Sequence, residues 1–311
     1  MRAFVFPGQG SQVVGMGKAL HDASALCRRT FEEADDALGL SLSTLCFEGP
    51  EAQLQLTAVA QPAIVTVSVA ALRLLADAGL GPDLVAGHSL GEYAALVAAG
   101  GISFTDAVGL VRRRGLYMQE AVPVGEGAMA ALMGLDAGQV AGICDEAAAS
   151  GAGEVVCPAN LNAPGQVVIS GHAGAVDRAI ELASARGARR AIRLAVSAPF
   201  HCPLMQAAAD RLAADLEGTT FHDLRIPLIA NVTAAPVRAG AEARAALLAQ
   251  VTAPVRWEES VRRIAAMGAT RALEVGPGKV LSGLIKRIEP SIACAAAGDP
   301  EGVAAAGEFL A

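Results

Sequence analysis

Aromatic residues make up only 4% of this 311-residue chain, as one Trp, two Tyr and eight Phe. A core built with so few of them is packed from Ala, Val and Leu, as in an α/β protein. Basic residues are also scarce, 24 Lys and Arg against 31 Asp and Glu, for a formal net charge of −7. The only compact basic run, Arg112-Arg113-Arg114, is too short to track a phosphate backbone, so no nucleic-acid partner is expected. The six cysteines, Cys27, Cys46, Cys144, Cys157, Cys202 and Cys294, are scattered, with no C-x-x-C pair and no His at ligand spacing. That pattern argues against a zinc or other metal site and for reduced thiols in the cytoplasm. One Arg and a short apolar run before Pro7-Gly8 are not read as a signal peptide. A long uncharged stretch, between Glu51 and Arg73, approaches membrane-spanning length but carries Gln53, Gln55, Gln61 and Pro62. It is expected to be a buried helix of a soluble protein, with no membrane partner.

Against these scarcities stands a hydrophobic content of 53%, enough at this length for a large core in two domains or in one with an insertion. The stretch Leu84-Val85-Ala86-Gly87-His88-Ser89-Leu90-Gly91-Glu92-Tyr93 organises the rest. It contains G-x-S-x-G, the strand-to-helix turn that exposes a nucleophilic serine. In a chain with 34 glycines the bare pattern is weak. Its force comes from context: an apolar strand through Ala86, a helical pattern from Glu92 to Ala99, and Ser89 at the junction. Gly87 and Gly91 then let the backbone turn tightly beneath a strained serine.

In chain order, Ala3–Phe6 reads as a strand ending in the Gly-rich loop Pro7–Gln12, whose backbone N–H groups lie at the carboxyl edge of a sheet. The glycine spacing does not fit a phosphate loop, and an oxyanion-binding loop facing Ser89 is the stronger reading. Helices are expected near 18–38 and 52–77, and another from Ser103 or Thr105 to Glu120. On that last helix Phe104, Ala107, Val108, Val111, Gly115 and Met118 share a face with Arg114 at its edge, while Arg112 and Arg113 point away. An inward guanidinium needs an anion, and periodicity leaves open whether that is a substrate or a structural carboxylate. From Gly127 the order becomes strand 128–135, helix 136–149, strands 154–161 and 166–170, helix 173–186 and strand 188–196, a ferredoxin-like unit with a turn at Asn162–Gly165. His201 follows this unit in an apolar setting, after Ser89 in the chain, and reads either as the serine's base or as a histidine bonded for structure. A strand at 226–231, a helix to Gln250 and a strand at 272–275 ending in Gly276-Pro277-Gly278 follow; the Ala-rich tail from Ala295 carries no clear pattern.

Taken together, FVFPGQGSQ at 4–12, GHSLGEY at 87–93, RRRGLYMQEAVP at 112–123, NAPGQVVISG at 162–171, SAPFH at 197–201, NV at 231–232, PVRW at 254–257 and EVGPGKVL at 274–281 form a family pattern. The chain resembles the malonyl-CoA:acyl carrier protein transacylases and, more broadly, the acyltransferase domains of polyketide synthases. The resemblance implies an α/β fold, an α/β-hydrolase-like core of parallel sheet (residues 1–125 and 197–311) with an inserted ferredoxin-like subdomain (126–196). It implies Ser89 as the acylated nucleophile, His201 as its base, and the backbone N–H groups of Gln9 and Leu90 as the oxyanion hole. Arg114 corresponds to the clamp on the malonyl carboxylate, and the main-chain carbonyl of Gln250 to the group that orients the histidine, with Asn231 in support. Met118 and Phe200 correspond to walls of the acyl pocket, and Asn162 to a further substrate contact. Phe before the histidine implies preference for malonyl over methylmalonyl. The implied partners are malonyl-CoA and acyl carrier protein, with coenzyme A and phosphopantetheine carried by the substrates, no cofactor of the protein's own, and a monomeric state. A serine hydrolase or thioesterase, and a scaffold that has lost its chemistry, are the rival readings.

Overall fold

The computed structural model describes residues 1–196 and 198–311; Ser197, which belongs to the SAPFH match and to the expected domain boundary, lies outside the described residues. Its strands are β1 (Arg2–Phe6), β2 (Leu84–Gly87), β3 (Gly127–Met133), β4 (Val156–Ala163), β5 (Gln166–His172), β6 (Arg190–Arg193), β7 (Leu228–Ile229), β8 (Pro236–Val237), β9 (Arg271–Val275) and β10 (Ala293–Ala297). The main sheet has the order β10-β9-β1-β2-β7-β8, parallel throughout except where β8 runs against β7. β1 and β2 pair in register from Ala3 opposite Leu84 to Phe6 opposite Gly87. Both are continuous apolar runs because both faces are covered by helices, the usual condition of a central parallel strand. Ending side by side, they bring the Pro7–Gln12 loop and Ser89 to the same edge of the sheet.

β3 to β6 form a second sheet, antiparallel in the order β4-β5-β3-β6, covered by helices Ala137–Ala149 and Ala173–Ala185. It has its own core around Leu132, Ile143, Ile169 and Ala179. The two sheets are stitched together away from the chain crossings. Leu161 N donates to Val255 O (2.9 Å) and Val255 N to Ala159 O (2.9 Å), while Arg287 donates to Pro164 O and Gln166 Oε1.

The helices differ from the sequence reading at particular residues. The helix expected at 18–38 breaks into Lys18–Ala23 and Ala25–Leu38, because the Ser24 hydroxyl accepts from Leu26 N and starts a new helix. The one expected at 52–77 becomes Glu51–Leu54 and Thr57–Asp77. Pro62 sits inside the longer piece, where it supplies no N–H to the carbonyl of Ala58 four residues earlier. Arg112 Nη1 donates to that carbonyl instead, at 2.8 Å. Thr57–Asp77 is long and apolar enough to cross a membrane by length and composition, but 83% of its most apolar window is buried inside the molecule. The tail from Ala295 has structure that its composition hid: β10 on the sheet edge and a helix, Pro300–Leu310, capped by Asp299.

Candidate active site

The turn after β2 has no room for side chains. A Cβ on Gly87 would lie 2.0 Å from the carbonyl carbon of Gly91, and one on Gly91 would lie 2.2 Å from Phe6 O. Helix Gly91–Ala99 therefore starts directly on top of β1 and β2, and Ser89 between the glycines is held at φ 52°, in the left-handed region. Asn231, just past β7, ties both arms of the turn. Its Nδ2 donates to Gly87 O (2.6 Å) and its Oδ1 accepts from Ser89 N (2.7 Å).

His201, also in the left-handed region at φ 59°, places Nε2 2.8 Å from Ser89 Oγ. Its Nδ1 lies 2.8 Å from the main-chain oxygen of Gln250. A carbonyl only accepts, so Nδ1 carries the proton and Nε2 is left to accept from the serine hydroxyl. Burial pushes His201 down to about 3, with the positive charge of Arg114 acting in the same direction. The ring is therefore neutral at physiological pH and able to take a proton from Ser89.

Arg114 comes from helix Phe104–Glu120 and is 1% exposed. Nη1 donates to Gln61 Oε1 (2.8 Å), and Nη2 donates to Gln250 Oε1 (2.9 Å) and Ser89 Oγ (3.1 Å). All three acceptors are neutral, Nε has no partner, and no Asp or Glu pairs with Arg114 among the described residues. Its neighbours turn elsewhere, Arg112 onto the Ala58 carbonyl and Arg113 onto Asp215. Of the two possibilities open in the sequence, a structural carboxylate is not what the guanidinium meets. Gln61 also donates to Met118 Sδ (3.9 Å), so one neutral residue of helix Thr57–Asp77 supports both the arginine and a pocket wall.

A cavity of about 840 Å³ opens over these groups, lined by Gln9, Gln61, Ser89, Arg114, Met118, Phe200 and His201, with Met129 and residues 194–196 from the small sheet's side. Among the described residues no acceptor meets the backbone N–H of Gln9 or Leu90, and Ser89 N is already taken by Asn231. Two asparagines sit elsewhere than the sequence reading placed them. Asn162 Oδ1 accepts from His88 Nε2 (2.9 Å), whose ring packs on Trp257, and it is Asn160 that lines the cavity. Asn231 binds the serine turn and not the histidine. Sequence reasoning did not single out Glu92, Gln61 or Gln250's side chain, all of them buried in this network. Polar residues inside uncharged helical stretches were the available signal for the first two. No group of three or more His, Cys, Asp or Glu among the described residues is placed to hold a metal ion.

Comparison with known proteins follows the same lines. A family model described as acyl transferase domain matches residues 3–300. The malonyl CoA-acyl carrier protein transacylase of Bacillus subtilis (strain 168) is 50% identical over 96% of this chain and 94% of its own. That of Escherichia coli (strain K12) is 50% identical over 99% of both. Among solved structures, the malonyl CoA-acyl carrier protein transacylase from Coxiella burnetii superposes with a TM-score of 0.96 at 46% identity, covering 99% of this chain and 97% of that one. A malonyl-transacylase in complex with a type II polyketide acyl-carrier protein superposes with a TM-score of 0.95 at 47% identity, covering 99% of both. With its serine turn, mixed α/β sheets and full-length match, the chain belongs to the acyl transferase family.

Proposed function

We propose that this protein moves a malonyl group from malonyl-CoA to the phosphopantetheine thiol of acyl carrier protein through a malonyl-serine intermediate, in fatty-acid or polyketide synthesis. The observation that carries the reading is Arg114: a buried guanidinium with only neutral partners, 3.1 Å from the Ser89 hydroxyl that meets His201. A cation so placed favours an acyl group ending in a carboxylate, which both of its terminal nitrogens can bind.

In the first half-reaction His201 Nε2 takes the Ser89 proton as Oγ attacks the thioester carbon. The N–H groups of Gln9 and Leu90 stabilise the oxyanion, about 3 kcal/mol for each donor. As the tetrahedral intermediate collapses, the C–S bond breaks and His201 returns the proton to the departing coenzyme A thiolate. The carrier thiol then enters by the same steps in reverse, regenerating Ser89. Met118 and Phe200 bound the acyl group, and Asn231 and Gln250 hold the serine turn and the histidine. The chemistry proposed uses no cofactor. We further propose a catalytic unit of residues 1–125 and 197–311 with residues 126–196 as its inserted subdomain, acting as a cytoplasmic monomer.

Intact-mass spectrometry after mixing with malonyl-CoA tests the reading. A malonyl adduct is expected on the wild-type protein and on none of Ser89→Ala, with acylation of His201→Ala slowed by about 10²–10⁴. A stable adduct on Ser89→Ala would remove the nucleophile assignment, and release of malonate to water in preference to the carrier would make the protein a thioesterase.

A further inference from the structure

Glu92 lies on the first turn of the serine helix and is 0% exposed, yet the steps above give it no part. Its Oε2 accepts from Gln250 Nε2 (2.6 Å) and Asn231 N (3.2 Å), while Oε1 has no partner among the described residues. The Gln250 amide thus spans two opposite charges: Nε2 donates to Glu92 and Oε1 accepts from Arg114. The same residue's main chain holds His201. We propose that Glu92 is a positioning residue that fixes the Gln250 amide between itself and Arg114, and that it takes up a proton on Oε1 when an acyl carboxylate docks on Arg114. This rests on the reading of Arg114 as the carboxylate clamp.

The charged and titratable groups around Glu92 are few. Arg114 faces it from helix Phe104–Glu120, Tyr93 follows it on its own helix, and His88 and His201 stand at the turn, both held toward their neutral forms by burial. Arg114 is therefore the cation that favours ionised Glu92. Burial raises the Glu92 carboxyl to about 7, with the Gln250 and Asn231 hydrogen bonds and Arg114 drawing it back down. Near neutral pH the residue is divided between its two forms. A substrate carboxylate on Arg114 neutralises that cation and brings a second negative charge into the same dry space, which drives Glu92 toward its acid form. Two donors on one oxygen and none on the other leave Oε1 as the place for the proton. The proton comes from solvent and returns there when the acyl group leaves. By linkage, raising the pH weakens binding of the carboxylate-bearing substrate and leaves a neutral acyl group unaffected.

Calorimetric titration of the Ser89→Ala protein with malonyl-CoA at about pH 7.5, in buffers of different ionisation enthalpy, reads the proton directly. Uptake of up to about three quarters of a proton per site is expected with malonyl-CoA and none with acetyl-CoA, which carries the same coenzyme A phosphates. Adding Glu92→Gln should abolish the uptake. In the otherwise wild-type protein Glu92→Gln should flatten the rise of KM for malonyl-CoA, up to about tenfold per pH unit above neutrality, and lower kcat less than Glu92→Ala does. Glu92→Ala, which leaves the Gln250 amide without its acceptor, should lower kcat. Buffer-independent heat with malonyl-CoA, or uptake unchanged by Glu92→Gln, would overturn the proposal. If Glu92→Gln does not fold, the contrast between malonyl-CoA and acetyl-CoA on Ser89→Ala decides alone. Failure of the wild-type protein to be acylated by malonyl-CoA would overturn the reading of the site and the inference with it; acylation without proton uptake would overturn the inference only.

Discussion

Arg114 bonds to Gln61, Gln250 and Ser89, none of which cancels its charge. A buried cation in that state gains most from a ligand that brings a carboxylate and gains nothing from one that brings a methyl group. Arg114→Ala should lower kcat/KM for malonyl transfer by about 3 kcal/mol, on the order of a hundredfold, while leaving acetyl transfer unchanged or improved. Arg114→Lys, a point charge without the fork, should restore only part of the loss. Parallel rate measurements with the two acyl-CoA substrates check this, and an equal fall in both would make the arginine a structural element. Phe200 gives a second test on the cavity wall. Beside His201 on the cavity surface, its ring should penalise the extra methyl of methylmalonyl-CoA by about 1–3 kcal/mol, so competition between the two extenders should favour malonyl by about 10–200-fold. Equal turnover would remove Phe200 as a selectivity wall.

The strand, turn and helix around Ser89 depend on two positions where only hydrogen fits. Gly91→Ala places a methyl 2.2 Å from Phe6 O, which is backbone and cannot rotate away, so a loss of about 3 kcal/mol or more in denaturant unfolding is expected. A neutral effect would mean the helix start can slide. This element was legible in the sequence because its constraint is local: apolar run, G-x-S-x-G, helix. The strand, helix, strand, strand, helix, strand order of residues 127–193 was legible for the same reason, from alternating patterns and a Pro-Gly turn. What escaped depends on contacts far apart in the chain. Glu92 reads as an ordinary acid in a helix's first turn, and only the sheet and helices around it show that no water reaches it. Asn231 and Gln250 stand on separate elements more than a hundred residues from Ser89, and nothing in their local spacing announces the bonds they make. The rescue of the Ala58 carbonyl by Arg112 is likewise decided by a partner that periodicity does not name, whereas the break at Ser24 is a local cap on Leu26 N that an unbroken apolar period conceals.

Acid should destabilise the whole molecule through His201. Its folded value of about 3 lies below the usual 6.5, so the unfolded chain binds the proton first. The stability it carries is intact above about pH 6.5 and is lost as pH falls toward 3, by up to about 1.4 kcal/mol per unit. Glu92, raised from 4.5 to about 7, acts in the opposite sense: its contribution is present below 4.5 and fades as pH climbs through 7. Melting temperatures of wild type and His201→Ala across pH 4 to 8 should therefore converge on the acid side and separate above neutrality only by what the lost packing takes away; parallel curves would contradict the buried, neutral histidine. The stitch between the sheets has a consequence of another kind. The backbone pair at Asn160 and Val255, with Arg287 on the Pro164 carbonyl, joins the small sheet to the main body where the chain itself does not pass. Val124, at the first crossing, is 93% exposed. A protease that severs the chain there should leave fragments 1–124 and 125–311 travelling as one particle on gel filtration, held by β1 on β9 and β2 on β7, and still able to acylate Ser89. The pairing of β4 with the Val255 segment is a second tie between the small sheet and the main body, set apart from the chain crossings, and it fixes the side of the cavity that Asn160 lines.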